Sequence, residues 1–406
     1  MKEGFIVTKK RIVILGGGFA GQLTATEFTK VLAPGEADIT MVNKHNYHFV
    51  TSKLHETAAG NISDNAITID IKTELLKPEY VKFRKDTVVS INKEEKKVQL
   101  ENGELEYDIL IAALGAEPQT FGIPGVWEHA SFIWTLNSSA KAREKMIENC
   151  QKWHEDQDDS RLHFVCVGAG LTGMEWVGEM IERRKKIAKE YNVPLEKLKV
   201  TCIDAMPKIL PFFPDETVKY TVEFCKKHNI TLRPDCRVES VDEKTINIVG
   251  GEKIPTQNVI WAAGVTGNSI IHAAGFPEVR NTKRVKVDYN LQVEGWEDHY
   301  VIGDASISIN PDTGEEYGPT AQVALQQGVY LAKHIANKMH GKQTKKPFKM
   351  IYRGTMMSLG NKNAAGLVYG VKTSGMIGHM FKKIIELRYY WEVKGTFMAI
   401  KMLFKK

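Results

Sequence analysis

Residues 11–21 read RIVILGGGFAG, a β-branched run that passes directly into a glycine-rich turn. Residues 19–32 then fit a helix and Asp38–Val42 fits a second strand, so the stretch predicts a βαβ unit. In the pattern G-x-G-x-x-G the first glycine makes the turn, the second lets the backbone approach a pyrophosphate, and the third allows close helix packing. The three glycines are Gly16, Gly18 and Gly21. We therefore predict a dinucleotide site with its phosphates at the helix N-terminus.

A second glycine turn of this kind follows about 150 residues later. Leu162–Val167 leads into GAGLTG, and a helix from Met174 to about Tyr191 precedes the strand Lys199–Ile203. The glycines of this second fingerprint are Gly168, Gly170 and Gly173. Two dinucleotide sites in one chain indicate a flavin together with a nicotinamide cofactor, namely FAD and NADH.

The residue that ends the second strand of each unit distinguishes the two sites. Asp204 can accept a hydrogen bond from a ribose 2′-hydroxyl and would repel a 2′-phosphate, which favours NADH over NADPH. The first unit has Asn43 and Lys44 at this point. An amide can bind a ribose hydroxyl, but without the charge-assisted strength of a carboxylate. We place Asn43 and Lys44 in the FAD site and leave open whether Asn43 contacts the ribose.

A third element supports a flavin. His299–Ile302 fits a buried strand that ends at Gly303 and Asp304. An Asp at the end of a strand is most often a turn residue. Beside two fingerprints, we interpret Asp304 as a carboxylate that holds a ribityl hydroxyl.

The composition limits the class of protein. The 406 residues are 43% hydrophobic and 26% charged, which excludes collagen-like, disordered and multi-span membrane chains. Residues 346–406 contain twelve Lys/Arg and two Glu, a surplus of +10, so the overall net charge of +6 leaves −4 for the rest. Such a tail indicates an anionic partner, either nucleic acid or membrane lipid. The first ten residues contain only the apolar run Phe5–Val7, so we expect no signal peptide.

Residues 376–391 place apolar side chains at the spacing of one helical face. These side chains are Ile377, Met380, Phe381, Ile384 and Ile385. Lys382, Lys383 and Arg388 flank the face, and YYW at 389–391 closes it. The pattern is typical of a helix in the membrane interface, although a helix packed on the core fits it equally well. Nucleic acid is disfavoured, because the aromatic residues lie within apolar helical faces.

These motifs resemble those of the two-dinucleotide-binding-domain flavoproteins, and within them the type II NADH:quinone oxidoreductases. The resemblance extends from residue 11 to the tail. Besides the fingerprints, it rests on buried strands that end in Gly115 and Gly264, on the Gly303-Asp304 motif and on HETAAG at residues 55–60. Its most specific part is AQVALQQG at residues 321–328, which is similar to the family's A-Q-x-A-x-Q-Q-G quinone-site signature.

The same segment can be interpreted from its residues. Pro319 suits the start of a helix. The N-terminal end of that helix, at Ala321, carries partial positive charge. It therefore suits the side of an isoalloxazine where reduction leaves negative charge. Gln322 and Gln326 are four residues apart and share a face. Two amides can donate hydrogen bonds to a quinone carbonyl without titrating. The alternative is that both glutamines are solvated surface residues.

The resemblance implies an α/β fold with two Rossmann-like dinucleotide-binding domains, glutathione-reductase-like in arrangement, and a C-terminal basic amphipathic membrane-anchoring region. We expect the first part of the FAD-binding domain at residues 8–115 and the NADH-binding domain at 116–285, with a linker helix at 138–159. The second part of the FAD-binding domain follows at 286–345, and the membrane region is last, at 346–406.

The resemblance also implies an activity. Hydride would pass from NADH to FAD, and two electrons with two protons would then pass to a quinone. The quinone would be menaquinone or ubiquinone, and menaquinone is expected. No proton pumping is expected. Glu175 would lie near the flavin, between the nicotinamide and quinone pockets, and would handle protons. The alternative is structural: acidic residues early in a helix, such as Glu175 and Glu179, stabilise the helix dipole. Gly115, Gly264 and Ala321 would contact cofactors, and no metal is expected. The enzyme would be a homodimer, peripheral to the cell membrane on its cytoplasmic side.

Two other functions stay open. A soluble ferredoxin- or rubredoxin-reductase-like flavoenzyme would use the basic tail to dock an acidic redox protein, and an NADH-sensing or scaffold flavoprotein would turn over slowly with every acceptor. Residues 43–149 contain no cysteine and none follows Cys236, which disfavours disulfide and sulfide:quinone reductases. His48 and His55 are candidate proton donors, although a hydrogen-bonded structural role is expected for each.

Overall fold

The computed structural model describes residues 9–279 and 282–405, so the apolar run Phe5–Val7 lies outside it. The described chain forms two compact units. Unit one comprises residues 9–49, 68–117 and 266–351, and unit two comprises residues 50–67, 118–265 and 352–405. Two of the boundaries between these ranges fall within the short strands Glu117–Pro118 and Val265–Thr266.

A five-stranded parallel sheet lies at the centre of unit one. Its strands, in the order of their pairing, are His299–Val301, Ile109–Ala112, Arg11–Leu15, Asp38–Asn43 and Val81–Lys85. The fingerprint strand is therefore central, and the second strand of the predicted βαβ unit pairs with it in parallel. Strands of a parallel sheet are buried on both faces, which explains their nearly continuous apolar sequences.

Unit two repeats this design. Its parallel strands, in order, are Ser131–Phe132, Asn258–Trp261, His163–Val167, Lys199–Ile203 and Ile230–Arg233. The second fingerprint strand is again central. The prediction of two Rossmann-like domains is confirmed, and the second fingerprint helix begins at Leu171, three residues before the predicted start, because Gly170 is its N-cap.

The remaining strands of unit one are Tyr47–Phe49, Thr68–Asp70, Val88–Asn92, Lys97–Leu100, Gly103–Glu106, Val285–Lys286 and Ser306–Ile307. Its helical segments are Phe19–Val31, Ile71–Leu75, Ser269–Ala273, Gly303–Ala305 and Ala321–Met339. The remaining strands of unit two are Val238–Val241, Thr245–Ile248, Lys253–Pro255, Gly354–Ser358, Ala364–Val368 and Val371–Ser374. Its helical segments are Thr51–Lys53, Leu54–Ala59, Asp64–Ile67, Val126–His129, Leu136–Asp156, Asp159–Leu162, Leu171–Glu190, Leu195–Lys197, Asp215–Lys227 and Gly375–Phe404.

Two long helices of unit one pack closely against each other. They are the first fingerprint helix, Phe19–Val31, and the helix Ala321–Met339 that carries the glutamine motif. A Cβ at Gly328 would lie 2.5 Å from the carbonyl oxygen of Ala20, so only glycine permits this approach. The last residue of the AQVALQQG motif therefore has a packing role.

The first part of the C-terminal region differs from the prediction of an amphipathic membrane region. Residues 354–374 form a three-stranded antiparallel sheet, and Met357 and Ala365 lie in the hydrophobic core of unit two with Trp176 and Met180. Short glycine-interrupted strands give little periodicity, which is why the sequence did not reveal this sheet.

The tail helix, Gly375–Phe404, is interrupted at Lys394 and Gly395, whose backbone angles are not helical. Its predicted apolar face is exposed, with Ile377 62% and Ile384 51% accessible. Tyr389 and Tyr390 are buried instead of bordering that face, which corrects the expectation for the two tyrosines, whereas Trp391 is exposed. Among residues 9–279 and 282–405, no helix has the length and apolar character that a membrane crossing requires.

Candidate functional site

The first fingerprint turn leaves a stretch of backbone without side-chain cover. Gly16 has φ +103°, and a Cβ there would collide with the carbonyl of Ala113. A Cβ at Gly21 would collide with the carbonyl of Gly16, so the helix packs directly on the turn. At Gly18, the N-cap of the helix, no heavy atom lies within 4 Å of the Cβ position. The turn therefore fits a pyrophosphate that approaches this backbone at a helix N-terminus.

Asn43 closes this turn from the neighbouring strand. Its Oδ1 accepts a hydrogen bond from the backbone N–H of Gly17 at 2.9 Å, and its Nδ2 donates to the carbonyl oxygen of His45 at 2.8 Å. Lys44 follows it and is exposed. Both predicted residues thus lie at the turn, and the contact of Asn43 with a ribose stays a prediction.

The second fingerprint turn repeats the arrangement. Gly168 has φ +111°, and a Cβ there would collide with the carbonyl of Ala262. A Cβ at Gly173 would collide with the carbonyl of Gly168, whereas no heavy atom lies within 4 Å of the Cβ position of Gly170. This turn fits a second pyrophosphate.

Asp204 holds the second turn. One carboxylate oxygen accepts from the backbone N–H of Ala169 at 2.6 Å and the other from that of Met206 at 2.7 Å. The nearby Lys208 pairs with Asp215 at 2.6 Å on the surface, so it is already engaged by a carboxylate. The position therefore presents a fixed carboxylate, which is the feature that disfavours a 2′-phosphate.

Two other predicted glycines follow buried strands of the two sheets. Gly115 has φ +75° and comes after Ile109–Ala112, and Gly264 has φ +129° and comes after Asn258–Trp261. No heavy atom lies within 4 Å of either Cβ position. Each leaves open backbone beyond the carboxyl end of its own sheet, where dinucleotides bind in α/β folds.

Gly303 and Asp304 follow the edge strand of unit one. The N–H of Gly303 donates to Oε1 of Gln327 at 2.6 Å, and Nε2 of Gln327 donates to Ser308 at 3.0 Å. Burial raises the pKa of Asp304, while the charge of Arg284 acts in the opposite direction. The predicted ribityl carboxylate is therefore held at a turn that the glutamine-motif helix fixes.

The glutamine-motif helix begins at Ala321, with Thr320 as its cap. Gln322 and Gln326 lie on it as predicted, both partly buried. The amide of Gln326 accepts from the N–H of Ile351 at 2.9 Å and donates to the carbonyl of Ile351 at 3.1 Å. Gln326 therefore braces the segment around Ile351, and the role of both glutamines toward a quinone stays a prediction.

Glu175 lies in unit two, 4% exposed, within a cluster of polar groups. One carboxylate oxygen accepts from Nζ of Lys382 at 2.8 Å and from the N–H of Ser358 at 3.0 Å. The other lies 3.5 Å from Nδ1 of His55, whose Nε2 contacts Oγ of Ser358 at 3.1 Å. The four residues form one connected buried network, which we call the Glu175 cluster.

The electrostatics of the cluster favour charged groups. Burial alone would raise the pKa of Glu175, but Lys382, His55 and Ser358 together lower it. Burial likewise opposes the charge of Lys382, but Glu175 raises the pKa of that ammonium above its usual value. The prediction that Lys382 flanks a membrane face is thus wrong: only 13% of its side chain is exposed, because it pairs with a buried carboxylate.

Glu179 lies one helical turn beyond Glu175 and accepts from Nδ2 of Asn61 at 2.6 Å. Burial raises the pKa of Glu179, the charge of His55 lowers it, and the net direction is upward. Because the pKa of Glu179 is shifted upward and that of Glu175 downward, the two carboxyl groups have different environments.

Three residues of these sites, Gln327, Lys382 and Ser358, were not predicted as site residues from the sequence. Gln327 could have been found, because it adjoins Gln326 in the same motif. Lys382 and Ser358 carry no local signal, since each contacts Glu175 from a distant part of the chain. Within the described ranges, no group of three or more His, Cys, Asp or Glu is arranged to hold a metal ion.

Comparison with known proteins identifies the family. A profile described as Pyridine nucleotide-disulphide oxidoreductase matches residues 10–328. A type II NADH:quinone oxidoreductase of Staphylococcus haemolyticus is 34% identical over 398 residues, which cover 97% of this chain and 98% of that protein. The enzyme of the same name from Staphylococcus aureus (strain NCTC 8325 / PS 47) is 32% identical over the same shares.

Solved structures agree on the fold. The NDH2 of Plasmodium falciparum in complex with NADH has a TM-score of 0.85 at 21% identity and covers 98% of this chain and 97% of its own. The two fingerprints, the glutamine motif and the near-complete overlap with the staphylococcal enzymes lead to one conclusion: the chain belongs to the type II NADH:quinone oxidoreductases, within the pyridine nucleotide-disulphide oxidoreductase family.

Proposed function

We propose that this chain oxidises NADH at the second fingerprint and reduces a quinone, with menaquinone as the predicted acceptor. The observation that carries the proposal is its end-to-end similarity to enzymes named type II NADH:quinone oxidoreductase. FAD, when bound at the first fingerprint, accepts a hydride from NADH and supplies two electrons to the quinone. A comparison of kcat/KM for menaquinone and ubiquinone analogues tests the choice of quinone.

The residues of unit one that would hold FAD provide backbone groups and four polar side chains. They are Gly16, Gly18, Gly21, Asn43, Lys44, Gly115, Gly303, Asp304, Ala321 and Gln322. The open backbone at Gly18 would meet the pyrophosphate, and the N-terminus at Ala321 would favour negative charge on the reduced ring.

The residues of unit two that would hold NADH are Gly168, Gly170, Gly173, Asp204 and Gly264. Asp204 keeps its carboxylate in place through two backbone N–H groups, and each oxygen retains a second lone pair for a ribose hydroxyl. Its negative charge makes the site reject a 2′-phosphate.

Quinone reduction consumes two protons, and the Glu175 cluster is the group that we propose handles them. Its carboxylate accepts a hydrogen bond from the ammonium of Lys382 at 2.8 Å and lies 3.5 Å from Nδ1 of His55, so a proton has only short distances to cross within the cluster. Glu179 is a second candidate, because burial favours its protonated form. Gln322, with Gln326 beside it, would donate to the quinone carbonyl.

We further propose that the tail helix binds the cytoplasmic face of the cell membrane and that the enzyme is a homodimer. The exposed side chains of Ile377 and Ile384 on one helical face support the membrane contact. A soluble reductase that docks an acidic protein is disfavoured, because docking of that kind does not require such an apolar face. A scaffold role predicts slow turnover with every acceptor.

Gln322→Ala should raise KM for the quinone about fivefold to tenfold, because one hydrogen bond to the carbonyl is lost, while KM for NADH changes less than about twofold. Gln326→Ala is the matched variant, since Ile351 already engages its amide, and it should change the quinone KM less. Steady-state kinetics with a soluble quinone analogue measure both. A larger effect on NADH than on quinone would move the quinone site elsewhere.

Asp204→Asn should reduce the preference for NADH over NADPH by about tenfold, because it removes the charge that repels a 2′-phosphate. Asn keeps one oxygen acceptor, which can serve one of the two N–H groups that Asp204 binds. The ratio of kcat/KM for the two nucleotides is the measurement. Lys208→Ala, a change at the exposed pair with Asp215, is the control and should leave the ratio unaltered.

Lys382→Met should raise the pKa of Glu175, because it removes the strongest of the groups that lower it. The lowered pKa of Glu175 stabilises the fold above the ordinary pKa of a glutamic acid, and this stabilisation is lost as the pH falls through the folded pKa and the carboxylate is protonated. In the variant Glu175 is protonated at a higher pH, so both the loss of stability and the loss of the charged carboxylate begin at a higher pH. The acidic limb of the pH profile for quinone reduction should therefore move upward by about one unit or more.

The control for this shift is Lys383→Met, which removes the neighbouring cation that pairs with Glu386. It should leave the profile where it is. Reduction of ferricyanide, which takes up no proton, should keep its pH dependence in both variants. Equal profiles for Lys382→Met and the unaltered enzyme would contradict a proton role for the Glu175 cluster.

Ile377→Gln combined with Ile384→Gln should weaken binding to vesicles of phosphatidylethanolamine and phosphatidylglycerol by about tenfold or more, because two apolar side chains no longer enter the interface. Sedimentation with vesicles measures the bound fraction. Val249→Gln replaces an apolar side chain of similar exposure on a hairpin of unit two and is the control. Undiminished binding of the double variant would place the membrane contact on another surface.

A further inference from the structure

Both peptide groups of Gly17, the middle residue of the first fingerprint turn, are held by side chains. Its N–H donates to Oδ1 of Asn43 at 2.9 Å, and its carbonyl oxygen lies 2.8 Å from Nδ1 of His48. Asn43 ends the second strand of the sheet, Asp38–Asn43, and His48 lies in the short strand Tyr47–Phe49 that comes next. Side chains at both ends of residues 43–48 therefore hold the N–H and the carbonyl oxygen of Gly17.

His48 is suited to this contact. Its side chain is 1% exposed, and the ring of Phe19 meets it edge-on at 5.5 Å between centroids. Burial lowers the pKa of His48 to about 4, so the imidazole is neutral at physiological pH. A carbonyl oxygen has no hydrogen to give, so Nδ1 carries the proton of the neutral ring and donates it to Gly17.

Asn43 needs both ends of its amide. While Oδ1 accepts from Gly17, Nδ2 donates to the carbonyl oxygen of His45 at 2.8 Å. An aspartate could accept from Gly17, but it has no hydrogen for His45 and would oppose that carbonyl with negative charge. This explains why an amide stands where the second site has a carboxylate.

The second site holds the equivalent peptide groups differently. The N–H of Ala169 donates to Asp204 at 2.6 Å, and the carbonyl of Ala169 accepts from the backbone N–H of Leu210 at 2.9 Å. Only the first turn therefore depends on a side chain for its carbonyl. That side chain can be replaced without altering the backbone, so the dependence can be measured.

We propose that His48 and Asn43 are positioning residues for FAD: they fix the Gly17 peptide so that the open backbone of Gly18 and the helix N-terminus meet the pyrophosphate in one orientation. The inference deepens the assignment of FAD to the first fingerprint and rests on it. It gives Asn43 a role in shaping the turn in place of a ribose contact, and it gives His48 a role in cofactor retention.

Replacement of His48 tests the carbonyl contact. His48→Phe keeps a buried ring but removes the donor, and it should lower FAD affinity by about tenfold, the effect of one lost hydrogen bond. His48→Asn supplies an amide N–H near the position of Nδ1 and should recover affinity to within about threefold of the unaltered protein. FAD release is followed by the rise of flavin fluorescence after dilution, without NADH or quinone, so the result does not depend on the electron acceptor.

His45→Gln is the matched control, because it alters a side chain of the same segment that does not contact Gly17; it should retain FAD normally. If His48→Phe fails to fold, His48→Asn decides: retention near that of the unaltered protein supports the proposal, and a loss of tenfold or more overturns it. Equal retention in His48→Phe and the unaltered protein would also overturn it.

Asn43→Asp separates the two roles of residue 43. A positioning amide predicts weaker FAD retention by about fivefold or more, because the hydrogen bond to His45 is lost and a repulsive contact replaces it. A ribose ligand predicts equal or tighter retention, since a carboxylate binds a 2′-hydroxyl more strongly than an amide does. Equal or tighter retention therefore contradicts the proposal for Asn43, and the dissociation constant from fluorescence titration of apoprotein is the measurement.

Discussion

Each dinucleotide site depends on a turn of bare backbone that must stay in one conformation without side chains of its own. A pyrophosphate reaches the backbone only where glycines leave it uncovered, and glycine also gives the chain its greatest conformational freedom. The restraint therefore has to come from the neighbouring strand. Asn43 in unit one and Asp204 in unit two supply it, because a parallel βαβ unit brings the end of its second strand beside the turn.

The residue at this position holds the turn, and in our proposal its charge also selects the ribose or phosphate group beside it. In unit two a carboxylate holds the turn. In unit one an amide holds the turn, and His48 contacts the carbonyl of Gly17. The two sites are duplicates in backbone design, and they differ in how their charges and donors are distributed.

A second constraint governs unit two. A buried carboxylate is unfavourable unless an opposite charge and hydrogen-bond donors compensate for the loss of water, and Glu175 obtains both from Lys382 and Ser358. The tail helix is therefore part of the interior of unit two on one side, and an exposed apolar surface on the other. Part of the positive surplus of the tail is also balanced by the rest of the chain, since Lys372 pairs with Glu216 and Lys382 with Glu175.

The sequence by itself determined the features that depend on neighbouring residues. The apolar runs and glycine spacing were sufficient for both βαβ units, the first strand at Arg11–Leu15 and the location of Asp204, because strand, turn and helix signals are local. Only the tertiary structure decided that Lys382 is buried, since its partner Glu175 lies 207 residues away and the helical pattern of the tail is the same whether that lysine faces lipid or a carboxylate. The same reason applies to Gln326 and His48: hydrogen-bond partners are selected by packing, which no local pattern records.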